Sequence, residues 1–152
     1  MHPTSLPTLI PILQLAVGPV ILVSGIGLLL VMLTNRFGRI VDRARLLTRE
    51  LIGQPGHPLA AEIAAQVAVL DRRCGILRFA ILSASLAALL VAVLILLLFV
   101  ATLLGWESGL AAISLFSASL LLLISSLVAF IRDMNLALVA IRTEIRRALP
   151  DR

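Results

Sequence analysis

The sequence predicts an all-α protein: a transmembrane bundle of three helices, extended by an antiparallel helical hairpin and a C-terminal helix in the cytoplasm. Three observations predict it: the composition, three long runs without charge, and the placement of the arginines. The 152 residues are 61% hydrophobic and have a mean hydropathy of +1.12. The length predicts a single domain, residues 1–152. A water-soluble domain of this size cannot bury so much apolar side chain, so lipid is the predicted solvent for much of it.

The three charge-free runs predict spans at about residues 15–34, 79–104 and 110–131. About 20 apolar residues cross a hydrocarbon core of about 30 Å as a helix. Because backbone amides in lipid must be bonded within the segment, helix is the predicted conformation of each run. The absence of charge inside the spans argues against a coupled transporter, which needs an intramembrane relay for protons or ions.

The basic residues predict the orientation of the spans. All thirteen are arginines, and they lie between the first and second spans or after the third. The residues before the first span carry none, and the link 105–109 carries only Glu107 and the aromatic Trp106. By the positive-inside rule, we expect a multi-pass protein of the inner membrane, with its N-terminus outside and its C-terminus in the cytoplasm.

Three prolines between Pro3 and Pro11 predict that this stretch is not a regular helix, since proline lacks the amide N–H. Two alternatives stay open for residues 3–12: a re-entrant or interfacial segment, or a flexible outer tail.

Helical periodicity continues on the cytoplasmic side and predicts a hairpin over about residues 36–78 and a further helix over about 132–149. A break at residues 53–58, rich in glycine and proline, separates the two arms of the hairpin. We expect these stripes to be buried against each other, as in a coiled coil, or against another subunit. Cys74 is expected to be a small core residue rather than a reactive thiol. The stripes consist of Ile40, Ala44, Leu47 and Leu51; Ile63, Val67, Leu70, Cys74 and Leu77; and Met134, Leu138, Ile141, Ile145 and Ala148.

The candidate site residues lie where the three spans meet the cytoplasm, and each junction combines arginine with aspartate. One interpretation is topogenic: the arginines set the orientation and bind anionic lipid headgroups. The other is pairing between aspartate and arginine across helices, or around a vestibule in an oligomer. Both stay open. The residues are Asn35, Arg36, Arg39, Asp42, Arg43 and Arg45 at the first junction, Asp71, Arg72, Arg73 and Arg78 at the second, and Arg132 and Asp133 at the third.

Two stretches of these junctions resemble a known family. The sequence TNRFGRIVDRAR follows the first span, and RRCGILRFAI opens the second. Together they resemble the bacterial family of small membrane proteins known as domain of unknown function 2721, over roughly Leu13 to Arg142. The resemblance implies a bacterial origin and three spans, and it implies no activity and no catalytic residues.

Small residues recur within the spans, and we expect them to serve close packing of helices. A path lined by hydroxyl groups is the alternative. They include Gly18, Ser24, Gly25 and Gly27 in the first span, Ser83, Ser85, Ala87, Ala88 and Ala92 in the second, and Ala111, Ser114, Ala118, Ser125 and Ala129 in the third.

The sequence disfavours an enzyme and predicts no cofactor, since it lacks a nucleophile motif, a glycine-rich phosphate loop and a cluster of metal ligands. Nucleic-acid binding is disfavoured too: the pI is near 11.5, but no series of aromatic side chains interleaves with the arginines, within whose clusters only Phe37 lies. We expect a homo-oligomeric structural or interaction protein whose cytoplasmic helices contact a protein partner. The alternative is an oligomeric ion channel with a basic inner mouth.

Overall fold

The computed structural model describes residues 6–53 and 58–148, and within them it shows three α-helices. Helix α1 is Leu6–Gly53, α2 is Ala60–Leu104 and α3 is Gly109–Ala148. Each contains a stretch long and apolar enough to cross a membrane. Over the described residues, the prediction of an all-α fold with three helices able to span a membrane is therefore confirmed. Each helix continues without a break from its apolar run into its arginine-bearing part.

The N-terminal proline segment differs from expectation. Helix α1 begins at Leu6 and includes Pro7 and Pro11, so the prediction of irregular structure is wrong over residues 6–11. Pro3 lies outside the described residues. Pro7 occupies the first turn, where an amide has no acceptor within the helix in any case. Pro11 and Pro19 each remove a single bond from a helix of 48 residues, and the rest of the helix tolerates that loss.

The turn between α2 and α3 depends on one glycine. Gly105 has φ +65°, a left-handed conformation that side chains with a Cβ atom avoid. The amide of Trp106 donates to the carbonyl of Ala101 at 2.8 Å, and that of Gly105 to Thr102 at 3.4 Å. This pair of bonds is the Schellman motif, which satisfies carbonyls left open at the helix end.

The chain divides into two compact units. The first consists of Met1–Val31 and Leu82–Ser125, and its buried positions on α2 are mostly small. Ser83 and Ala87 are among them, as expected for close helix packing. The glycines of α1 behave differently: Gly18, Gly25 and Gly27 are exposed, and a Cβ atom added at each would meet nothing within 4 Å. For them, the prediction of helix packing is wrong within a single chain.

The second unit consists of Met32–Ile81 and Ser126–Arg152. The predicted stripes of α1 and α2 turn inward, while the stripe of α3 does not: Met134 is 39% exposed and Leu138 is 54% exposed. The inward face of α3 runs through Ala129 and Asp133 instead, so the predicted register is wrong within the chain. The side chains of Ile141, Ile145 and Ala148 lie outside the described part. Among the described residues of this unit, the buried ones are Leu33, Ile40, Leu47, Ile63, Leu77, Ala80, Ser126, Ala129 and Asp133.

Candidate functional site

A buried carboxylate joins one residue from each helix in the second unit. The Asp133 side chain on α3 is 0% exposed, and both of its oxygens accept hydrogen bonds from arginines. Arg36 Nε on α1 donates to Oδ2 at 2.7 Å. Arg73 on α2 donates from Nε to Oδ1 at 2.9 Å and from Nη2 to Oδ2 at 3.5 Å. These three residues, the Asp133 cluster, tie α1, α2 and α3 together.

The cluster stabilises a charge that would otherwise be costly to bury. An isolated carboxylate removed from water loses far more solvation free energy than an apolar site returns. Charge-assisted bonds of 2.7 and 2.9 Å from two guanidinium groups offset that loss. The arginine side chains are themselves only 21% and 14% exposed. Loss of Asp133 would therefore leave two largely buried guanidinium groups without a counterion, whereas loss of one arginine would leave Asp133 paired with the other.

Two further side chains of α3 contact the guanidinium group of Arg36. Its Nη1 contacts the sulfur of Met134 at 2.7 Å, and its Cζ lies 5.6 Å from the centroid of the Phe130 ring. A guanidinium at this distance from an aromatic ring is attracted by the negative ring face. Because Phe130 and Met134 are four residues apart on α3, one turn of that helix fixes the orientation of Arg36.

A second polar contact joins α2 and α3 near the cluster. The buried hydroxyl of Ser126 donates to the carbonyl of Ala80 at 2.8 Å. Ser126 lies seven residues before Asp133, on the same face of α3. The hydroxyl thus bonds across helices, whereas that of the adjacent Ser125 bonds to Leu121 within its own helix.

The structure brings together three of the twelve candidate residues and leaves the other nine exposed. Within the described part of the chain, neither Asp42 nor Asp71 forms an ion pair. The sequence pattern placed an aspartate at each junction but contained no signal for which of them is buried. The exposed nine are Asn35, Arg39, Asp42, Arg43, Arg45, Asp71, Arg72, Arg78 and Arg132.

Cys74 lies half-buried on α2, one residue after Arg73 and ahead of the second apolar run. Burial raises the pKa of its thiol, Asp71 and Asp133 raise that pKa further, and Arg73 lowers it in part. Since the thiolate is the nucleophile, a raised pKa keeps this thiol unreactive at neutral pH.

Several hydroxyl groups of the apolar runs bond to the backbone of their own helix. Ser24 donates to the carbonyl of Val20, Thr102 to Leu98 and Ser119 to Phe116. Such bonds satisfy a hydroxyl in an apolar environment without water. Among the described residues, no group of three His, Cys, Asp or Glu side chains could hold a metal ion.

Three long apolar helices, joined by a buried carboxylate between two arginines, define a multi-pass helical membrane protein. The model of a family described as "Protein of unknown function (DUF2721)" matches residues 16–143, and the chain belongs to that family. No curated protein and no solved structure matches the chain.

Proposed function

We propose that this protein is a homo-oligomeric structural or interaction protein of the bacterial inner membrane, with its N-terminus outside. The arginine-bearing ends of its helices, residues 36–53, 60–78 and 132–148, enter the cytoplasm and contact a protein partner there. It is not an enzyme, it takes no cofactor, and anionic lipid headgroups surround its inner junctions.

Helix length and charge support this placement. At 1.5 Å per residue, the 48 residues of α1 extend about 70 Å, whereas the hydrocarbon core is about 30 Å thick. A large part of each helix must therefore lie outside lipid. The arginines mark which part that is, and the positive-inside rule directs it to the cytoplasm.

The observation that carries the interaction role is exposed apolar surface on the arginine-bearing ends. Four such side chains are each about half exposed or more: Leu46 and Ile52 on α1, Leu59 in the turn just before α2, and Val69 on α2. Exposed apolar side chains of the spans are covered by lipid, but these four would face water. Large apolar groups among charged neighbours are typical of protein-binding surfaces.

The Asp133 cluster supports a structural rather than a catalytic role. Both oxygens of its carboxylate are bonded to arginines, so Asp133 is poorly placed to accept a proton from a substrate. Burial and Asp71 raise the pKa of the nearby Cys74 thiol, which makes it a weaker nucleophile at neutral pH than an ordinary cysteine. The polar groups of this region thus hold helices together.

The alternative, an oligomeric ion channel, is favoured by the outward glycines of α1. Gly18, Gly25 and Gly27 have open space around them and could pack against other copies arranged around a central axis. The exposed arginines of the junctions would then form the basic inner mouth of the pore.

Site-specific photo-crosslinking in living cells tests the proposed function. A photoreactive residue at Leu46 or Ile52 should give adducts with a cytoplasmic protein, whereas one at Leu28, an exposed position of the first span, should not. The absence of protein adducts at both Leu46 and Ile52 would contradict the interaction role. Native mass spectrometry in mild detergent addresses the alternative: a ring of four to six copies that conducts ions in liposomes would favour the channel.

A further inference from the structure

The Asp133 cluster leaves hydrogen-bond donors unused. A guanidinium group has five N–H donors on three nitrogens. Arg36 donates from Nε and Nη1, and Arg73 donates from Nε and Nη2. In the described part of the chain, no buried side-chain nitrogen or oxygen lacks a partner. The remaining amino groups, Nη2 of Arg36 and Nη1 of Arg73, therefore lie at the accessible surface of the cluster.

The cluster also has surplus positive charge. Two guanidinium groups share a single carboxylate, which leaves a formal charge of about +1. Exposed neighbours add to it: Arg72 and Arg132 contribute two positive charges, and Asp71 contributes one negative charge. An anion at this place would meet a net positive field.

The two accessible amino groups are fixed in space, unlike those of a surface arginine. Asp133 holds both guanidinium groups through Nε, and Phe130 and Met134 hold Arg36 from the side. Most of the rotational entropy that an arginine loses on binding an anion is thus already lost in the free protein. Asp133 Oδ2 accepts from both groups, at 2.7 Å from Arg36 Nε and 3.5 Å from Arg73 Nη2, so the two guanidinium groups lie beside each other.

We propose that Arg36 and Arg73 form a binding site for one phosphate group. Arg36 lies just after the first apolar run, Arg73 just before the second and Asp133 just after the third. In the membrane placement proposed above, this is the depth of lipid phosphates, so the phosphodiester of an anionic lipid is the expected source. Only the source rests on that proposed placement; the site itself follows from the cluster, and free phosphate is the other source of the same chemistry.

Paired arginine-to-lysine variants of the full-length protein test the site at constant charge. Lysine keeps the charge but has one ammonium group, so it cannot pair with Asp133 and also present a separately fixed donor. The double variant R36K/R73K changes the cluster, while R43K/R45K changes two exposed arginines and is the matched control. Purified protein in mild detergent is titrated with phosphatidylglycerol, phosphatidylcholine or inorganic phosphate, and bound molecules are counted by native mass spectrometry.

The wild type and R43K/R45K are expected to retain one phosphatidylglycerol per chain, and R36K/R73K to bind it about tenfold more weakly. A second outcome also supports the site: inorganic phosphate binds at least as well as the lipid, and its binding is weakened by R36K/R73K. Free phosphate, rather than a lipid, would then be the ligand. Equal weakening in both double variants would mean diffuse electrostatic attraction and would overturn the proposal. The single variants R36K and R73K, whose folding is checked by circular dichroism, guard against loss of structure in the double variant. None of these outcomes depends on a partner or on the oligomeric state, so the proposed function can fail separately.

Discussion

Asp133 carries its charge where its side chain has no contact with solvent, and two arginines from other helices are its partners. Breaking a buried ion pair by removing one member costs more than the pair contributes, because the remaining charge stays buried. We therefore expect Asp133→Asn, which keeps the shape but removes the charge, to lower the free energy of unfolding by about 3 kcal/mol or more. Denaturant titration of the purified protein in micelles measures the difference.

Asp42→Asn is the matched control for that experiment. Asp42 is exposed and forms no ion pair in the described part of the chain, so its replacement should change stability by less than about 0.5 kcal/mol. Equal effects of the two substitutions would show that the cluster does not hold the helices together.

Cys74 provides a prediction about the reactivity of a single side chain. Because burial and two carboxylates raise the pKa of its thiol, we expect slow alkylation by maleimide at pH 7. The rate should rise about tenfold per pH unit while the thiol remains mostly protonated. A cysteine at the exposed position Ala65, in a Cys74→Ser background, should react faster at every pH below its own pKa. A faster reaction at Cys74 than at Ala65→Cys would contradict this account.

The residues of the site show how far the sequence could lead. It placed arginines and aspartates at all three junctions because composition alone marks the ends of the apolar runs. The sequence did not identify Asp133 as the buried aspartate. The buried face of a helix is predicted from the spacing of its apolar side chains, and a charged residue in a buried position does not contribute to that pattern. For that reason the apolar stripe of α3 was predicted to run through Met134, one residue away from the buried position.

At the scale of elements, α2 and α3 are joined by a hydroxyl bond that can be removed with a neighbouring control. Ser126→Ala removes the bond to the carbonyl of Ala80, whereas Ser125→Ala removes a bond within α3. We expect Ser126→Ala to lower the free energy of unfolding by about 0.6 kcal/mol or more, as for other interhelical hydrogen bonds in membrane proteins. Ser125→Ala should have a smaller effect. Both effects are measured by the same titration in micelles. A larger loss of stability in Ser125→Ala than in Ser126→Ala would show that the bond between helices does not stabilise the fold.

The end of α2 gives a second prediction for an element. Gly105→Ala forces a side chain into a left-handed conformation, which costs about 1 kcal/mol or more. Gly109, the first residue of α3, has open space around its Cα, and Gly109→Ala should be neutral or slightly stabilising. A thermal midpoint lowered only by Gly105→Ala supports the turn, and equal midpoints for the two variants would contradict it.

The elements themselves were largely predictable, because an apolar run of sufficient length has few alternatives to helix in lipid. The exception was the start of α1. Proline content indicated irregular structure there, yet the first turn of a helix tolerates proline and a long helix survives the loss of single bonds. The low helix propensity of proline was thus not enough to prevent the helix from including this segment.

In the molecule as a whole, the proposed membrane placement depends on one asymmetry: all thirteen arginines lie after the first apolar run, before the second or after the third. The exposed apolar residues of the arginine-bearing ends can contact a cytoplasmic partner only if these ends face the cytoplasm. The asymmetry is visible in the order of residues along the sequence, whereas the outward direction of the glycines of α1 depends on which face α1 presents to its neighbours.

Cysteine labelling of intact cells is the most direct test of this placement. In a Cys74→Ser background, Glu107→Cys in the link between α2 and α3 should react with a membrane-impermeant maleimide from outside. Ala65→Cys on α2 should react only after the membrane is permeabilised. Labelling of Ala65→Cys in intact cells, together with protection of Glu107→Cys, would place the arginines outside and contradict the account.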